Sequence, residues 1–477
     1  MYRNKLLRLL QQLDAPAIRR LRDFVKSPYF KVKDMSQRLL AYILDGYPDF
    51  TQAKLHREVA MKHLYGPSGN LNKLRKDQTD LTGHVRRFLA YEALQAYPWR
   101  ERQLLLDAYE QRGMNEDFFA GAKTLLPEAQ AADFDLEPLR FLAEQYQRLF
   151  FHPATEKYQP QVPHLEAGIR YLEQYYLLSK FRLLADALLR RWVYGGASSE
   201  LYVEELQPLA QRHADVPVLC LYAQLLELLS NEAVSPQFDL LVATLEAQID
   251  RLSEVDKRNI SAKLMYLGQY YYEKGRLEYM PYMLRIAKLA DEKGFVTYQG
   301  TITPALYVAI INLAAIAGDF DWSAYFSAEY APCLLEAHRE ETQRLGQAYL
   351  LFYQGDFQAA LKLAADVLKV HPGNRLQAET LLLRLYCELI AAGEDVFDEY
   401  ERCADRFVKY VRTKALFSPH KRSALLAFIH LAGLLIRFHS TVDRAEQRGI
   451  KAQASHYFSQ AEAVYSAQWL KQKIEAL

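Results

Sequence analysis

The sequence predicts an all-α chain in which antiparallel helix hairpins stack into an α-solenoid behind a basic N-terminal helical segment. Apolar residues recur at three and four positions, as in Leu6, Leu9, Leu10, Leu13 and in Leu361, Ala364, Leu368, with no sustained alternation of period two. Gly275, Gly318, Gly355 and Gly393 each follow an apolar helical run and precede a more charged one, at spacings of 43, 37 and 38 residues. That recurrence marks repeated hairpins whose core grows with each added unit. Length and composition agree, since 477 residues exceed one ordinary core while 20 Gly and 18 Pro leave few helix breakers.

From the N-terminus, Asp14 before Ala15-Pro16 predicts a helix start, because a carboxylate accepts a free N–H of the first turn and proline fits there without one. Thr51 is expected to cap a helix through Ala53, Leu55, Val59 and His63. The turn Tyr65-Gly66-Pro67-Ser68-Gly69 follows, and a long helix from Asn70 carries Leu71, Leu74, Gln78, Leu81, Val85 and Phe88 on one side. Pro98 opens a further helix after Tyr97, and Gly113 ends it. Asp133, Asp135 and Glu137 alternate as in a calcium loop, but no glycine or terminal glutamate completes one, so Asp135 is read as a cap. The stretch 163–193 is one helix or two. Gly195-Gly196, Ser230-Asn231 and His439-Ser440 divide further pairs, and Thr303 caps a helix at Pro304.

The turns Gly318-Asp319-Phe320 and Gly355-Asp356-Phe357 repeat a tripeptide, and Leu264, Leu267, Gly268 and Tyr271 precede Gly275. On these residues the stretch of about 260–395 resembles tetratricopeptide repeats, with Leu264 where that family has Trp. The unit at 341–374 matches best, through Ala348, Phe357, Ala360 and Pro372. The resemblance implies a right-handed superhelix, although these repeats are longer than the family's. It also implies a concave face on the first helices, holding Met265, Gln269, Tyr272, Val308, Asn312, Leu345, Tyr349, Phe352, Thr380, Leu383 and Cys387. None is Lys or Arg. The expected function is a non-enzymatic scaffold whose groove takes a segment of a protein partner, with Gln269 and Asn312 on its backbone and Met265, Tyr272, Leu345, Tyr349 and Phe352 as contact area. The competing reading makes those rings core. Phe24-Val25-Lys26-Ser27-Pro28-Tyr29-Phe30 is similar to the start of bacterial all-helical proteins, which implies no activity.

Residues 1–100 hold 19 Lys/Arg against 9 Asp/Glu, whereas the rest hold 40 against 49. An acidic partner and the chain's own acidic body are both consistent with that asymmetry. The pair at 51–95 looks like a helix-turn-helix, with Asn72, Lys73, Arg75 and Lys76 in the first turns of its second helix, residue types that read base edges and neutralise phosphates. Some bacterial regulators place a winged helix-turn-helix before a tetratricopeptide-like domain, and this order resembles theirs, but no wing strands are seen. A nucleic-acid-binding regulator is therefore the alternative function. The expected domains are 1–97 and a solenoid over 98–477.

No G-x-S-x-G elbow, phosphate-binding glycine loop, H-E-x-x-H or di-iron spacing occurs in the sequence. No catalytic residue, metal, cofactor or small-molecule substrate is expected. His430 and His439 do not share a helix face. Cys220, Cys333, Cys387 and Cys403 form no C-x-x-C pair and read as buried thiols of a reducing compartment. Charges in Met1-Tyr2-Arg3-Asn4-Lys5 argue against a signal peptide, so a cytoplasmic location is expected. No membrane insertion is expected either: the uncharged stretch Gly294–Gly318 holds an apolar helix only from Pro304, and Ala424–Ile436 is too short for a bilayer.

Overall fold

The computed structural model describes residues 5–50, 55–95, 98–132, 134–155, 163–194, 204–230, 237–273, 275–367, 372–413 and 417–477. The expected features at Thr51, Ala53, Tyr97, Asp133, Gly195-Gly196, Asn231 and Leu368 lie outside them. Among the described residues the fold is helical throughout, the one β feature being an isolated bridge between Tyr298 and Thr301. The chain divides into two compact units, Met1–Ala131 and Ala132–Leu477.

Unit 1 contains α1 (Lys5–Gln11), α2 (Ala15–Lys26), α3 (Asp34–Leu44), α4 (Arg57–Tyr65), α5 (Leu71–Gln95), α6 (Pro98–Gln111) and α7 (Asn115–Ala131). Asp14 starts α2 as expected, its Oδ1 accepting the Ala17 N–H at 2.7 Å. The long α5 packs against α1 to α4 through Leu74, Leu81, Val85 and Phe88. Leu71, expected on that side, is instead exposed. The boundary falls at 131/132, not at 97/98. Pro98 starts α6, which packs on α5 and, across the turn at Gly113, on α7.

Unit 2 begins with α8 (Leu136–Phe151) and α9 (Pro163–Tyr194), a single rod of 32 residues. Next come α10 (Gln207–Gln211), α11 (Pro217–Ser230), α12 (Gln237–Gln248), α13 (Glu254–Glu273), α14 (Met280–Glu292), α15 (Pro304–Ile316) and α16 (Phe320–Tyr330). The unit closes with α17 (Glu336–Gln354), α18 (Phe357–Asp366), α19 (Pro372–Ala391), α20 (Phe397–Thr413), α21 (Pro419–Ser440), α22 (Arg444–Gln460) and α23 (Ala467–Ala476). From α15 to α19 each odd-numbered helix packs on the even one after it and on the next odd one.

The repeated Gly-Asp-Phe has a local cause. Gly355 takes φ 86° and its N–H closes α17 on the Leu351 and Phe352 carbonyls. Asp356 then accepts the Ala359 N–H to start α18, while Phe357 packs on the core. Asp319 starts α16 in the same way after Gly318. A left-handed residue followed by a carboxylate cap is an economical way to end one helix and begin the next.

The length argument against a membrane span fails for α21. Its 22 residues measure about 33 Å at 1.5 Å each, and it is the one described helix long and apolar enough to cross a bilayer. It is nonetheless a core helix of unit 2, with Leu425, Phe428, Leu431 and Leu435 buried among α9, α19, α20, α22 and α23. All four cysteines are free thiols. Cys387 and Cys403 are buried as expected, but Cys220 and Cys333 are only partly so. Burial pushes the Cys403 thiol up to about 12, with Glu379 adding to the shift.

Candidate functional site

The residues expected on a concave groove divide into two groups. Met265, Gln269, Tyr272, Asn312 and Tyr349 come together around one cavity on unit 2. Leu345 and Phe352 are core instead, with Val308, Leu383 and Cys387. The cause is close approach: Gly346 on α17 sits against Ile311 and Tyr307 of α15, so there is no room for a groove between them. Of the cavity group, Gln269 is exposed and Met265 and Asn312 are half-buried. Tyr272 and Tyr349 are buried, and their hydroxyls are committed to Gln468 Oε1 at 2.8 Å and the Gln377 carbonyl at 2.9 Å.

The cavity has two chambers that share Gln269, Tyr272, Asn312, Ile316, Tyr349 and Tyr465. The smaller, of about 140 Å³, is bounded further by Tyr353, Thr380, Arg384, Gln468 and Trp469. The larger, of about 330 Å³, is apolar and includes Met265, Met280, Met283, Leu306 and Leu313, with Lys421 at its wall. Volumes of this size suit small ligands or an inserted side chain.

Two features of this wall were not foreseen. The first is its C-terminal side: the segment around α23 folds across the cavity, and the Val464 and Tyr465 N–H groups donate to the Glu273 and Ala424 carbonyls at 3.2 Å. The second is charge. The concave positions read from the sequence hold no Lys or Arg, yet Arg384 and Lys421 both line the cavity. The one local signal for Arg384 is its place within Leu381-Leu382-Leu383-Arg384-Leu385, a cation inside an apolar run.

Those charges are not equally compensated. Lys421 is paired with Glu273, which also accepts from Gln269 at 3.0 Å. Glu388 accepts Trp469 Nε1 at 2.8 Å and Lys473 Nζ at 2.5 Å. Arg384, 3% exposed, has no carboxylate partner among the described residues. Its Nη2 donates to Tyr353 Oη at 2.8 Å, and its Nε meets no acceptor. Burial pushes the Tyr272, Tyr349 and Tyr465 hydroxyls well above their ordinary range, so they remain neutral.

On unit 1, α4 begins only at Arg57, with Leu55 in a turn before it and not in the helix as expected, while Asn72, Lys73, Arg75 and Lys76 are all exposed near the start of α5. Asn70 caps that helix, its side chain accepting the Asn72 N–H at 2.7 Å. Another base nearby is engaged, Lys33 with Asp80 at 2.8 Å.

Among the described residues no three His, Cys, Asp or Glu side chains are grouped to hold a metal ion. Asp135 caps α8 through the Leu136 N–H and pairs with Arg182 at 2.7 Å. His430 rests against Tyr457, with ring centroids 4.4 Å apart. No protein-family model, curated protein or solved structure matches the chain.

Proposed function

We propose that the chain is a non-enzymatic, cytoplasmic binding protein whose unit 2 is a right-handed, tetratricopeptide-like α-solenoid with its recognition site in the two-chambered cavity. The observation that carries this reading is Asn312, which borders both chambers and whose buried Oδ1 has no hydrogen-bond partner. An unspent amide at a cavity wall is a directional acceptor awaiting a donor, and exposed Gln269 beside it gives the site a polar rim. Because Leu345 and Phe352 are sealed in the core, the protein partner enters as one or two inserted side chains, and an extended segment does not lie along α17. The test is quantitative capture from the source cell with the wild-type chain and an Asn312→Ala/Gln269→Ala variant. A partner held by the former and lost from the folded latter supports the reading. Equal capture by both overturns it.

A second reading has its own observation, the four exposed side chains Asn72, Lys73, Arg75 and Lys76 on one end of α5. In it, unit 1 binds nucleic acid through phosphate neutralisation, and affinity for a labelled 20-base-pair duplex falls steeply between 50 and 200 mM salt, a dependence of roughly one counterion per phosphate contact. Lys73→Ala/Arg75→Ala/Lys76→Ala then weakens binding and flattens the salt dependence. Undiminished binding by that variant removes α5 from the interface.

A further inference from the structure

We infer that the cavity takes an amphiphilic monocarboxylate, its anionic head at Arg384 in the smaller chamber and its apolar body in the larger. This rests on the cavity being the recognition site proposed above, and names the chemistry that site accepts.

The head follows from charge. Two buried carboxylates lie near the cavity, Glu273 at 4% and Glu388 at 7% exposure, and each already holds a lysine. Arg384 is the surplus cation. A buried charge without a counter-ion is strongly unfavourable, so proteins pair such groups or place them where a ligand supplies the missing charge. The rings around it offset part of this: the guanidinium carbon lies 4.1 Å from the Phe352 centroid, 5.1 Å from Tyr353 and 5.4 Å from Trp469. Ring faces stabilise the charge, but they leave the N–H donors wanting acceptors, and only the bond to Tyr353 is made. A carboxylate supplies both the charge and the acceptors. One surplus positive charge balances a monoanion; a phosphate dianion would leave a buried negative charge over.

The body follows from the adjoining wall. Met265, Met280 and Met283 line the larger chamber with Leu306 and Leu313. Thioether side chains are flexible and polarizable, so such a wall adapts to apolar groups of differing shape. The shared Asn312 and Gln269 stand between head and body, where a polar substituent could bond to them.

Octanoate is the probe, measured by calorimetry, with 1-octanol and inorganic phosphate as comparisons. The full chain is expected to bind octanoate at least tenfold more tightly than either. Arg384→Gln should abolish the preference for octanoate over octanol and raise the melting temperature of the ligand-free chain, because it removes an unpaired buried charge. Ala309→Trp, at an exposed position on the larger chamber, should weaken octanoate binding at least tenfold without altering Arg384, and serves if Arg384→Gln does not fold. Equal binding of octanoate and octanol, preference for phosphate, or an unchanged preference in Arg384→Gln each overturns the proposal. Octanoate that displaces a captured partner places the carboxylate on that partner, whereas octanoate retained with the partner identifies a free acid. If octanoate fails while capture still depends on Asn312 and Gln269, the carboxylate assignment falls and the binding role stands.

Discussion

The indole N–H of Trp469 donates to Glu388 Oε1 at 2.8 Å, joining two residues 81 positions apart and holding α23 against α19. Trp469, Leu470 and Ile474 are buried there, and Lys473 adds an ion pair to the same carboxylate. Trp469→Ala is therefore expected to cost about 3 to 5 kcal/mol in urea unfolding, the range for deleting a large buried aromatic side chain. Glu388→Gln keeps an acceptor for the indole and loses only the charge, so its cost should be about 1 to 2 kcal/mol. Equal effects of the two would mean that the electrostatic contact, and not the buried ring, secures the helix.

Glycine substitutions should split by sign. A Cβ at Gly268 would lie 2.6 Å from Met283 Cγ, and one at Gly346 would lie 2.8 Å from Ile311 Cδ1. Gly268→Ala and Gly346→Ala should each destabilise by about 1 to 3 kcal/mol, overpacking outweighing the better helix propensity of alanine. Gly83 in α5 and Gly449 in α22 have nothing within 4 Å of that position. Gly83→Ala and Gly449→Ala should each stabilise by about 0.5 to 1 kcal/mol. Thermal denaturation of the four variants decides, and a uniform sign would contradict the packing.

What the sequence made legible was local. Gly318, Gly355 and the aspartates after them act within a few residues, so their roles can be read from spacing alone. The cavity wall is assembled differently: Tyr272 bonds Gln468 across 196 positions, and no periodicity encodes such a meeting. Reading Leu345 and Phe352 as groove residues assumed an open superhelix. The small residues Gly346 and Ala348 draw α17 close to its neighbours instead, turning those side chains into core. The division expected after residue 97 and the one at Ala131 differ for a similar reason, since Pro98 marks where a helix starts and carries no information about where a compact unit ends.

Arg182 donates through Nε and Nη2 to the two oxygens of Asp256 at 2.8 Å each, while Tyr222 and Ser253 hydroxyls donate to the same carboxylate at 2.8 Å. Asp256 is fully buried, and the cluster ties α9, α11 and α13 together. Burial works against the Arg182 charge, but Asp256, with Asp135 beyond it, more than compensates and raises the guanidinium further above its ordinary value. Asp256→Ala should cost about 3 to 5 kcal/mol, because it strands several buried donors at once. Asp256→Asn, which retains the acceptor oxygen, should cost less. The urea midpoints of the two variants measure the difference, and a neutral Asp256→Ala would show that the cluster contributes no net stability.

His84 on α5 gives unit 1 a pH dependence of definite sign. Burial lowers its affinity for a proton below the ordinary value of 6.5, Arg87 and Lys33 lower it further, and Asp80 opposes them. The folded state therefore favours the neutral imidazole, and its buried Nδ1 has no hydrogen-bond partner among the described residues. As pH falls through the unfolded value near 6.5, the unfolded chain takes up the proton first, so stability is present above that pH and declines below it. The decline ends once pH passes the lowered folded value, where both states are protonated. Urea midpoints between pH 8 and pH 5 should thus fall more for the wild-type chain than for His84→Gln, which removes this contribution while carboxylate effects remain in both. His439 in unit 2 shifts in the same direction, by burial and Lys473 against Glu388, so some slope should persist in the His84 variant. Identical pH profiles for wild type and His84→Gln would mean that His84 titrates alike in the folded and unfolded chains.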